Sequence, residues 1–395
     1  MDYSKYFDWA ATSPADKEIL EKSLALSMEY YANPSAVHSQ GQEARKVFEN
    51  ARKLAANALG VRPEEVYFTS GGTESDHIPL LSVLNRSEKG RIIISGIEHP
   101  ALREQCNALK KLGYDVVTVN PDKNGFITPE SIAENITGDT VFVTVMAVNN
   151  ETGCIQPVYE IADAVTKAAN GKRKAHFHVD CVQAAGKVPL DLSYSGIDSA
   201  ALSAHKICGP HGIGILYLKK DIKPFLTGGG QEKNIRSGTE NLFGAHAFAL
   251  CLEKYYFQKK ESLTAEKKSD FELHSSLCAG FISELTQIKG CTLVPEIRSD
   301  LSPEVQGKFS PYVVQAAFKG IPGNVMVRAL DSKGFSISTG SACSAKKQSR
   351  PILQAMNVKR DIQDTAVRFS FGPLTEKKDI DELICAVKEV AADFN

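Results

Sequence analysis

The sequence has few of the features that mark a membrane, secreted or nucleic-acid-binding protein. No apolar run approaches the roughly 18 to 20 residues that a bilayer-spanning helix needs, and the first residues lack the pattern of a signal peptide. The formal net charge is -1 at pH 7 and the sequence pI is about 6.8, so bulk basic surface for nucleic acid or an anionic membrane is missing. We therefore expect a cytoplasmic protein whose partners are small molecules or specific proteins.

Cysteine and composition narrow the class further. The nine cysteines include no Cys-x-x-Cys pair and no metal-ligand spacing, which argues against a disulfide framework and a structural zinc site. We expect most of them to be small core residues and expect no metal. The 395 residues are 43% hydrophobic and 24% charged, which suits a globular protein with a large core and two domains.

Short apolar strands alternate with amphipathic helices through the first half of the chain. This pattern predicts an α/β fold with a mostly parallel sheet covered by helices on both faces. Pro79 lies within one predicted helix and is expected to kink it or end it early. The predicted strands cover residues 66–69, 92–94, 116–119, 141–148, 177–179, 200–202 and 215–218.

The last third of the chain predicts a smaller α+β domain. Strands are expected near 313–318 and 367–371, and helices near 323–333 and 376–391. We place the domain change near residue 258. The predicted large domain is then 15–258, and the small domain combines 1–14 with 259–395.

Polar or titratable side chains follow four of the predicted strands. In parallel sheets, ligands bind beyond the carboxyl ends of the strands, so these side chains could meet in one pocket. For any one of them, a capping or solvated group is the alternative interpretation. They are His99, Asn150, the pair Asp180 and Gln183, and the group Ser203, His205 and Lys206.

Lys206 stands between small or hydroxylated residues and a glycine-rich turn. A lysine in a partly dry pocket beside a cation has a lowered pKa and can bond covalently to a carbonyl, for example that of pyridoxal phosphate. Ser203 and His205 could both donate to a phosphate. The alternative is a solvated lysine in a surface turn.

A second small-residue turn, 70–74, leads from a predicted strand into a helix. Free amide groups and the positive end of the helix dipole make such a place an anion site, and phosphate is the natural guest. A plain turn is the alternative. The glycine-rich loop 227–241 is too polar for the core and too long for a simple connector, so we interpret it as functional.

Two residues of the C-terminal part are further candidates. Cys343 lies in a small, polar and locally basic stretch, where a thiolate is stabilised and accessible; an unreactive loop cysteine is the alternative. Arg368, on a predicted strand, could bind a carboxylate through its two-pronged guanidinium, or could be a surface arginine.

With these residues assembled, the sequence resembles the cysteine desulfurases of the class V aminotransferase group, which are pyridoxal-phosphate enzymes of fold type I. The resemblance runs nearly end to end, and its motifs occur in the family's order. They are Asn33-Pro34-Ser35 with His38, 70–74, Glu98-His99, 149–153, Asp180-x-x-Gln183, 203–212, the loop 228–241, 340–343 and 368–370.

The resemblance implies a seven-stranded large domain, the cofactor pyridoxal 5'-phosphate and a set of residue roles. Lys206 would hold the cofactor covalently, Asp180 would pair with its ring nitrogen, Gln183 would bond its hydroxyl, and His99 would stack on it and assist proton transfer. Asn150 and Arg368 would bind the substrate carboxylate, with Asn150 also beside the cofactor. Cys343 would take the sulfur as a persulfide. The phosphate would be held by Gly72, Thr73, Ser203, His205 and, from a second subunit, Thr239.

Two places depart from the family pattern. Trp9 stands where asparagine is usual, and Asp76-His77 with Pro79 replaces an asparagine-rich helix start. These departures concern the rim and the phosphate end of the pocket and leave Lys206 and Asp180 unaltered.

We therefore expect a homodimeric cysteine desulfurase that takes L-cysteine and passes sulfur to an acceptor protein, such as an iron-sulfur scaffold, or to tRNA thiolation. One alternative is a selenocysteine lyase or another β-eliminating relative. An alternative of another class is a non-catalytic relative that binds a phosphorylated ligand or a protein.

Overall fold

Seven strands form the central sheet, seen in a computed structural model that describes residues 2–171, 173–258, 264–340 and 349–394. Their order across the sheet is β1-β7-β6-β5-β4-β2-β3, and β7 alone runs antiparallel to its neighbours. The predicted mostly parallel sheet is thereby confirmed. The strands are β1 Val66–Thr69, β2 Arg91–Ser95, β3 Asp115–Val119, β4 Thr140–Thr144, β5 His176–Asp180, β6 Ser199–Ser203 and β7 Gly214–Leu218.

One predicted strand is shorter than expected. Residues 142–148 of this run are buried, but the regular strand ends at Thr144. The amides of Val145 and Ala147 still donate to carbonyl oxygens of β5, after which Val148 turns away and pairs with Ile155. An apolar run predicts which residues are buried, and here the buried residues extend beyond the last residue of the regular strand.

Helices cover both faces of this sheet. Apolar positions of α2 recur at three- and four-residue steps and are buried, and the helix ends at Gly60, whose φ of 70° suits glycine at a C-cap. The helix that contains Pro79 ends at Leu81, shortly beyond the proline, as expected. The helices are α1 Lys17–Glu29, α2 Ser39–Leu59, α3 Gly72–Leu81, α4 Pro100–Lys111, α5 Pro129–Ala133, α6 Val158–Ala168 and α7 Leu242–Tyr255.

A second, antiparallel sheet lies in the C-terminal part, with strand order β10-β9-β8. Its strands are β8 Cys291–Leu293, β9 Val313–Phe318 and β10 Ala366–Ser370. The helices here are α8 Ala265–Thr286, α9 Pro303–Gln306, α10 Gly323–Ser332, α11 Pro351–Ala355, α12 Arg360–Thr365 and α13 Lys377–Asp393. No helix among the described residues is long and apolar enough to cross a membrane.

The buried apolar side chains form separate clusters around the two sheets. The C-terminal cluster also contains Phe7, because the N-terminal segment pairs with this part of the chain through Tyr6 and Asp8. Ile352 and Leu353 of α11 instead pack into the cluster of the large sheet. On this ground we propose two domains with the boundaries predicted from the sequence, in contact through α11.

Candidate active site

Lys206 lies just beyond the carboxyl end of β6, at the end of a short helical turn, Ala204–Lys206. Its Nζ donates to the carbonyl oxygens of Ala10 at 2.7 Å and Ala11 at 2.6 Å. Ser13 fixes this N-terminal segment in place, because its backbone N–H and its hydroxyl both donate to the His205 carbonyl. The amine is therefore held inside the fold by backbone oxygens.

Gln183 reaches the same carbonyl oxygen as Lys206. Its Nε2 donates to Ala10 O at 2.8 Å, so the amine and the amide meet at one acceptor. Lys187, which the sequence interpretation missed, donates from Nζ to Gln183 Oε1 at 2.6 Å. Burial, and after it the charge of Lys206, holds the pKa of Lys187 well below its ordinary value. The sequence signal for Lys187 was its position four residues after Gln183 in the same turn.

Asp180 ends β5 and is buried, with its Oδ1 accepting from the amide of Val182 at 2.9 Å. Burial and, after it, the carboxyl of Asp76 raise the pKa of Asp180 to about 7, although the positive charge of Lys206 opposes this rise. Asp180 and Lys206 are thus close enough to influence each other's protonation.

His99 caps the N-terminus of α4, where its Nδ1 accepts from the amide of Ala101 at 3.2 Å. Burial lowers the pKa of His99 to about 4, with Lys206 as the next cause. His99 is therefore a neutral imidazole at pH 7. Lys206, Asp180 and His99 lie at or just beyond the carboxyl ends of three strands, and the charge of Lys206 acts on both of the other side chains. We call the region that these three side chains border the cleft.

The turn between β1 and α3 forms the other end of this cleft. Gly71 has φ 155° and lies so close to Gly214 that a Cβ on Gly214 would be 2.6 Å from the Gly71 backbone. A Cβ on Gly72 would be 2.7 Å from Val182 Cγ2, and its next neighbour is Ser203. Thr73 follows and is exposed. The first backbone N–H groups of α3, which have no acceptor within the helix, therefore lie beside Ser203, where they could bind an anion.

His205 extends this end of the site through two residues that the sequence interpretation missed. Its Nδ1 lies 3.2 Å from Thr12 Oγ1, and its ring stacks on His211 with centroids 5.3 Å apart. Burial, followed by the charge of Lys206 and by His211, lowers the pKa of His205 to about 3. A neutral imidazole can donate one N–H to an anion.

Arg368 on β10 is only 2% exposed, so it is not a surface arginine. Its Nη2 pairs with Asp8 Oδ1 at 2.7 Å and its Nη1 donates to the Asn150 carbonyl at 2.8 Å. Its Nε and the Asn150 Oδ1 are buried and have no hydrogen-bond partner among the described residues. Gln315, directly opposite Arg368 on β9, likewise has both side-chain polar atoms buried and unpartnered there.

The remaining predicted site residues are Cys343 and Thr239. Cys343 lies within 341–348, outside the described residues. Thr239 is described and is exposed on the loop 227–241. That loop is anchored by the buried Glu232, which accepts from Arg52 Nη1 at 2.8 Å and from the amide of Phe68 at 2.7 Å.

The two departures from the family pattern have structural counterparts. Trp9 is buried and packs where a Cβ on Gly372 would come within 2.1 Å of its ring, so glycine at 372 makes room for the indole. Asp76 is also buried and contacts His178, with Oδ1 to Nε2 at 3.0 Å.

Comparisons with known proteins identify the family of the chain. The family model "Aminotransferase class-V" matches residues 5–383. The chain therefore belongs to the class V aminotransferase family. Within it, the chain is 33% identical to "Cysteine desulfurase IscS" of Dictyoglomus turgidum, over 99% of this chain and 95% of the relative. It is 34% identical to "Cysteine desulfurase IscS" of Methanosarcina thermophila, over 98% and 91%.

Solved structures show the same relationship. The structure titled "NIFS-LIKE PROTEIN" matches with a TM-score of 0.87 and 32% identity, covering 98% of this chain and 99% of its own. "SspA in complex with cysteine" matches with a TM-score of 0.76 and 27% identity, covering 94% and 100%. The predicted fold type and family resemblance are thereby confirmed.

Proposed function

We propose that this chain is a cysteine desulfurase that uses pyridoxal phosphate to remove sulfur from L-cysteine, releasing L-alanine and leaving a persulfide on Cys343. The observation that carries the proposal is that Lys206, Asp180 and His99 lie at the same edge of the sheet, close enough for the charge of Lys206 to act on both other side chains. The relatives named cysteine desulfurases, which match the chain from end to end, support the choice of reaction.

The residues present fit pyridoxal phosphate. The amine of Lys206 could bond the carbonyl carbon of the cofactor. It lies near the buried carboxyl of Asp180, which could pair with the ring nitrogen. The amides of the α3 N-terminus, with Gly72 and Thr73, open beside Ser203 at one end, where a phosphate would bind. His205 adds a donor there, and Thr239 would reach this end from a second subunit.

When bound, the cofactor supplies an electron-withdrawing ring that stabilises negative charge on the substrate carbon next to the amine. Asp180, as a carboxylate, would hold the proton on the ring nitrogen, and Gln183 would orient the ring through its hydroxyl. Gln183 Nε2 and Lys206 Nζ both donate to the carbonyl oxygen of Ala10, so the two donors lie next to each other.

His99 and Lys206 are the groups that would move protons. The pKa of His99 is lowered to about 4, so the ring is neutral near pH 7, and because Nδ1 accepts from the Ala101 amide, the ring proton lies on Nε2, which could donate it toward the reacting groups. Lys206, once it no longer holds the cofactor, can carry a proton to or from the substrate carbon.

Asn150 and Arg368 would bind the substrate carboxylate. Arg368 is already oriented by Asp8 and the Asn150 carbonyl, and its Nε–H still lacks an acceptor among the described residues. Charge-assisted hydrogen bonds of this kind contribute about 1.5–3 kcal/mol each.

Sulfur transfer requires a thiolate that attacks the substrate sulfur. The new S–S bond would form on Cys343 as the C–S bond of the substrate breaks, and the carbon would then take up a proton to give alanine. Cys343 is proposed for this role on its sequence setting and the family resemblance.

We also propose a homodimer in the cytoplasm that serves iron-sulfur assembly or tRNA thiolation through a sulfur-acceptor protein. The exposed Thr239, on a loop anchored by the buried pair of Arg52 and Glu232, supports a role at a second subunit's site. Exposed apolar side chains near α1 supply surface for such an interface: Leu24, Met28, Tyr31 and Val37.

The deciding experiment supplies purified protein and pyridoxal phosphate with L-cysteine and measures alanine, sulfide and protein-bound persulfide. We expect alanine and persulfide in the wild type, and in Cys343→Ala a loss of both with the cofactor absorbance retained. Unaltered turnover in Cys343→Ala would reject the persulfide mechanism and favour a lyase, which a parallel assay with selenocysteine would reveal. A protein that stays colourless with added cofactor would favour a non-catalytic relative.

A further inference from the structure

A chain of hydrogen-bonded side chains runs behind Asp180, away from the open part of the cleft. Asp76 Oδ1 lies 3.0 Å from His178 Nε2, and His178 Nδ1 lies 2.8 Å from Ser199 Oγ. The same hydroxyl lies 2.7 Å from His176 Nε2. The roles proposed above use none of these four residues.

The first members of this chain are buried beside Asp180. Asp76 is 1% exposed, and His178 and Ser199 are 0% exposed. His178 precedes Asp180 by two positions on β5, so both side chains leave the same face of the strand. Asp76 comes from α3, so the chain of hydrogen bonds joins this helix to β5 and β6.

The geometry allows two proton arrangements. The Ser199 hydroxyl has one proton and contacts two imidazole nitrogens, so it donates to one and accepts from the other. If His178 carries its proton on Nδ1, its Nε2 accepts and Asp76 must be a protonated acid. If His178 carries its proton on Nε2, Asp76 is a carboxylate. The presence or absence of one proton on the Asp76 carboxyl therefore decides whether the group beside Asp180 is neutral or negative.

Burial favours the uncharged arrangement near neutral pH. Burial raises the pKa of Asp76 well above its ordinary value and lowers the pKa of His178 to about 4. The titratable groups that influence Asp76, His178 or Asp180 from the surrounding elements are Glu98, Cys181, His176 and Lys206. Burial likewise raises the pKa of Glu98 well above its ordinary value, which favours its uncharged form.

We propose that Asp76 and His178 share a proton behind Asp180 and that this pair sets how tightly Asp180 holds the proton of the cofactor's ring nitrogen. The inference rests on the proposed use of pyridoxal phosphate. Asp76 is a positioning residue in this account, since it acts through His178 and Asp180 and does not touch the cofactor.

The proposal predicts a direction. When Asp76 loses its proton to solvent at alkaline pH, a second negative charge appears beside Asp180 and strengthens the hold of Asp180 on the ring-nitrogen proton. Asp76→Asn keeps the shape and the contact with His178 but cannot ionise. The ring nitrogen should then lose its proton at a pH lower than in the wild type.

The test reconstitutes the protein with pyridoxal phosphate labelled with ¹⁵N in the ring and follows the ¹⁵N resonance across neutral and alkaline pH. In Asp76→Asn we expect the ring-nitrogen pKa to fall by about one unit or more. The matched control is Asp198→Asn, which removes a carboxylate that pairs with Lys174 and bonds the Phe177 amide near the other end of β5. Equal titration in the wild type and Asp76→Asn, or equal shifts in Asp76→Asn and Asp198→Asn, would overturn the proposal.

A second variant predicts the opposite shift and does not depend on how Asp76→Asn folds. Ser199→Ala removes the acceptor for the Nδ1 proton of His178, which favours the proton on Nε2 and a charged Asp76. The ring-nitrogen pKa should rise in Ser199→Ala, and a fall or no change would contradict the account.

An apoprotein measurement separates this inference from the proposed function. In ¹⁵N-histidine spectra of the protein without cofactor, His178 should be neutral with its proton on Nδ1 at neutral pH in both wild type and Asp76→Asn. A charged His178 in the wild type would overturn the inference. Failure of the wild type to bind the cofactor at all would instead overturn the proposed function.

Discussion

The residues proposed to hold the cofactor, the cofactor side, differ from those around Arg368, the substrate side, in how completely their polar groups are paired. On the cofactor side, Lys206, Gln183 and Asp180 all have short hydrogen bonds to backbone groups of the chain. On the substrate side, Arg368 and Gln315 keep buried polar atoms without a partner among the described residues. Since buried polar groups are nearly always paired, the contrast fits the proposed roles, in which the cofactor side is prearranged and a ligand completes the substrate side.

The largest effect is expected on the cofactor side. Lys206→Ala removes the amine that would bond the cofactor, so the absorbance band of the bound cofactor should be lost and alanine production should fall by at least about 1,000-fold. Spectra and product assays on the same preparation check this. A variant that keeps the wild-type band would break the comparison, because another group would then hold the cofactor.

A change on the substrate side should spare the cofactor. Arg368→Lys keeps one positive charge for Asp8 but loses the fork geometry, so the KM for L-cysteine should rise about 10- to 100-fold. The affinity for pyridoxal phosphate should stay within about two-fold, because the contact of Arg368 with Asn150 is to the backbone carbonyl and not to the side chain proposed to lie beside the cofactor. A loss of cofactor affinity as large as the rise in KM would show that the two sides are not separate.

The sequence analysis predicted the polar residues at the strand ends but not the long-range contacts between side chains. Buried apolar strands, the glycine cap of α2 and the polar residues after β2, β5 and β6 follow from local patterns, and the structure places them as expected. The contact of Asp76 with His178 joins residues 102 positions apart, and Gln315 meets Arg368 only through the register of β9 and β10. Such pairings depend on tertiary geometry, which periodicity and motif spacing do not encode.

A smaller effect is expected on stability, from the packing of Trp9 against Gly372. Gly372→Ala would place a Cβ 2.1 Å from the Trp9 ring, so the variant should lose about 1–3 kcal/mol of the free energy of unfolding. In a Trp9→Asn background the same change should cost much less. Equal costs in both backgrounds, measured by denaturant unfolding, would mean that the indole does not fill this space.

The smallest effect is a pH dependence on the cofactor side. The pKa of His99 is lowered to about 4 in the folded protein against about 6.5 unfolded, so below pH 6.5 the unfolded chain binds more protons at this residue. His99 therefore contributes to a loss of stability as the pH falls from 6.5 to 4. In the apoprotein, His99→Asn should reduce that loss by roughly 1–3 kcal/mol. If the free energy of unfolding depends on pH equally in the variant and the wild type, the pKa of His99 is not lowered in the folded protein.

The central claim is that one amine, Lys206, holds the cofactor, and chemical trapping tests it most directly. Wild-type protein incubated with pyridoxal phosphate is reduced with borohydride, and the labelled peptide is identified by mass spectrometry. The account predicts a pyridoxyl group on Lys206. A label on Lys187, the neighbouring buried lysine, or no specific label at all, would contradict it.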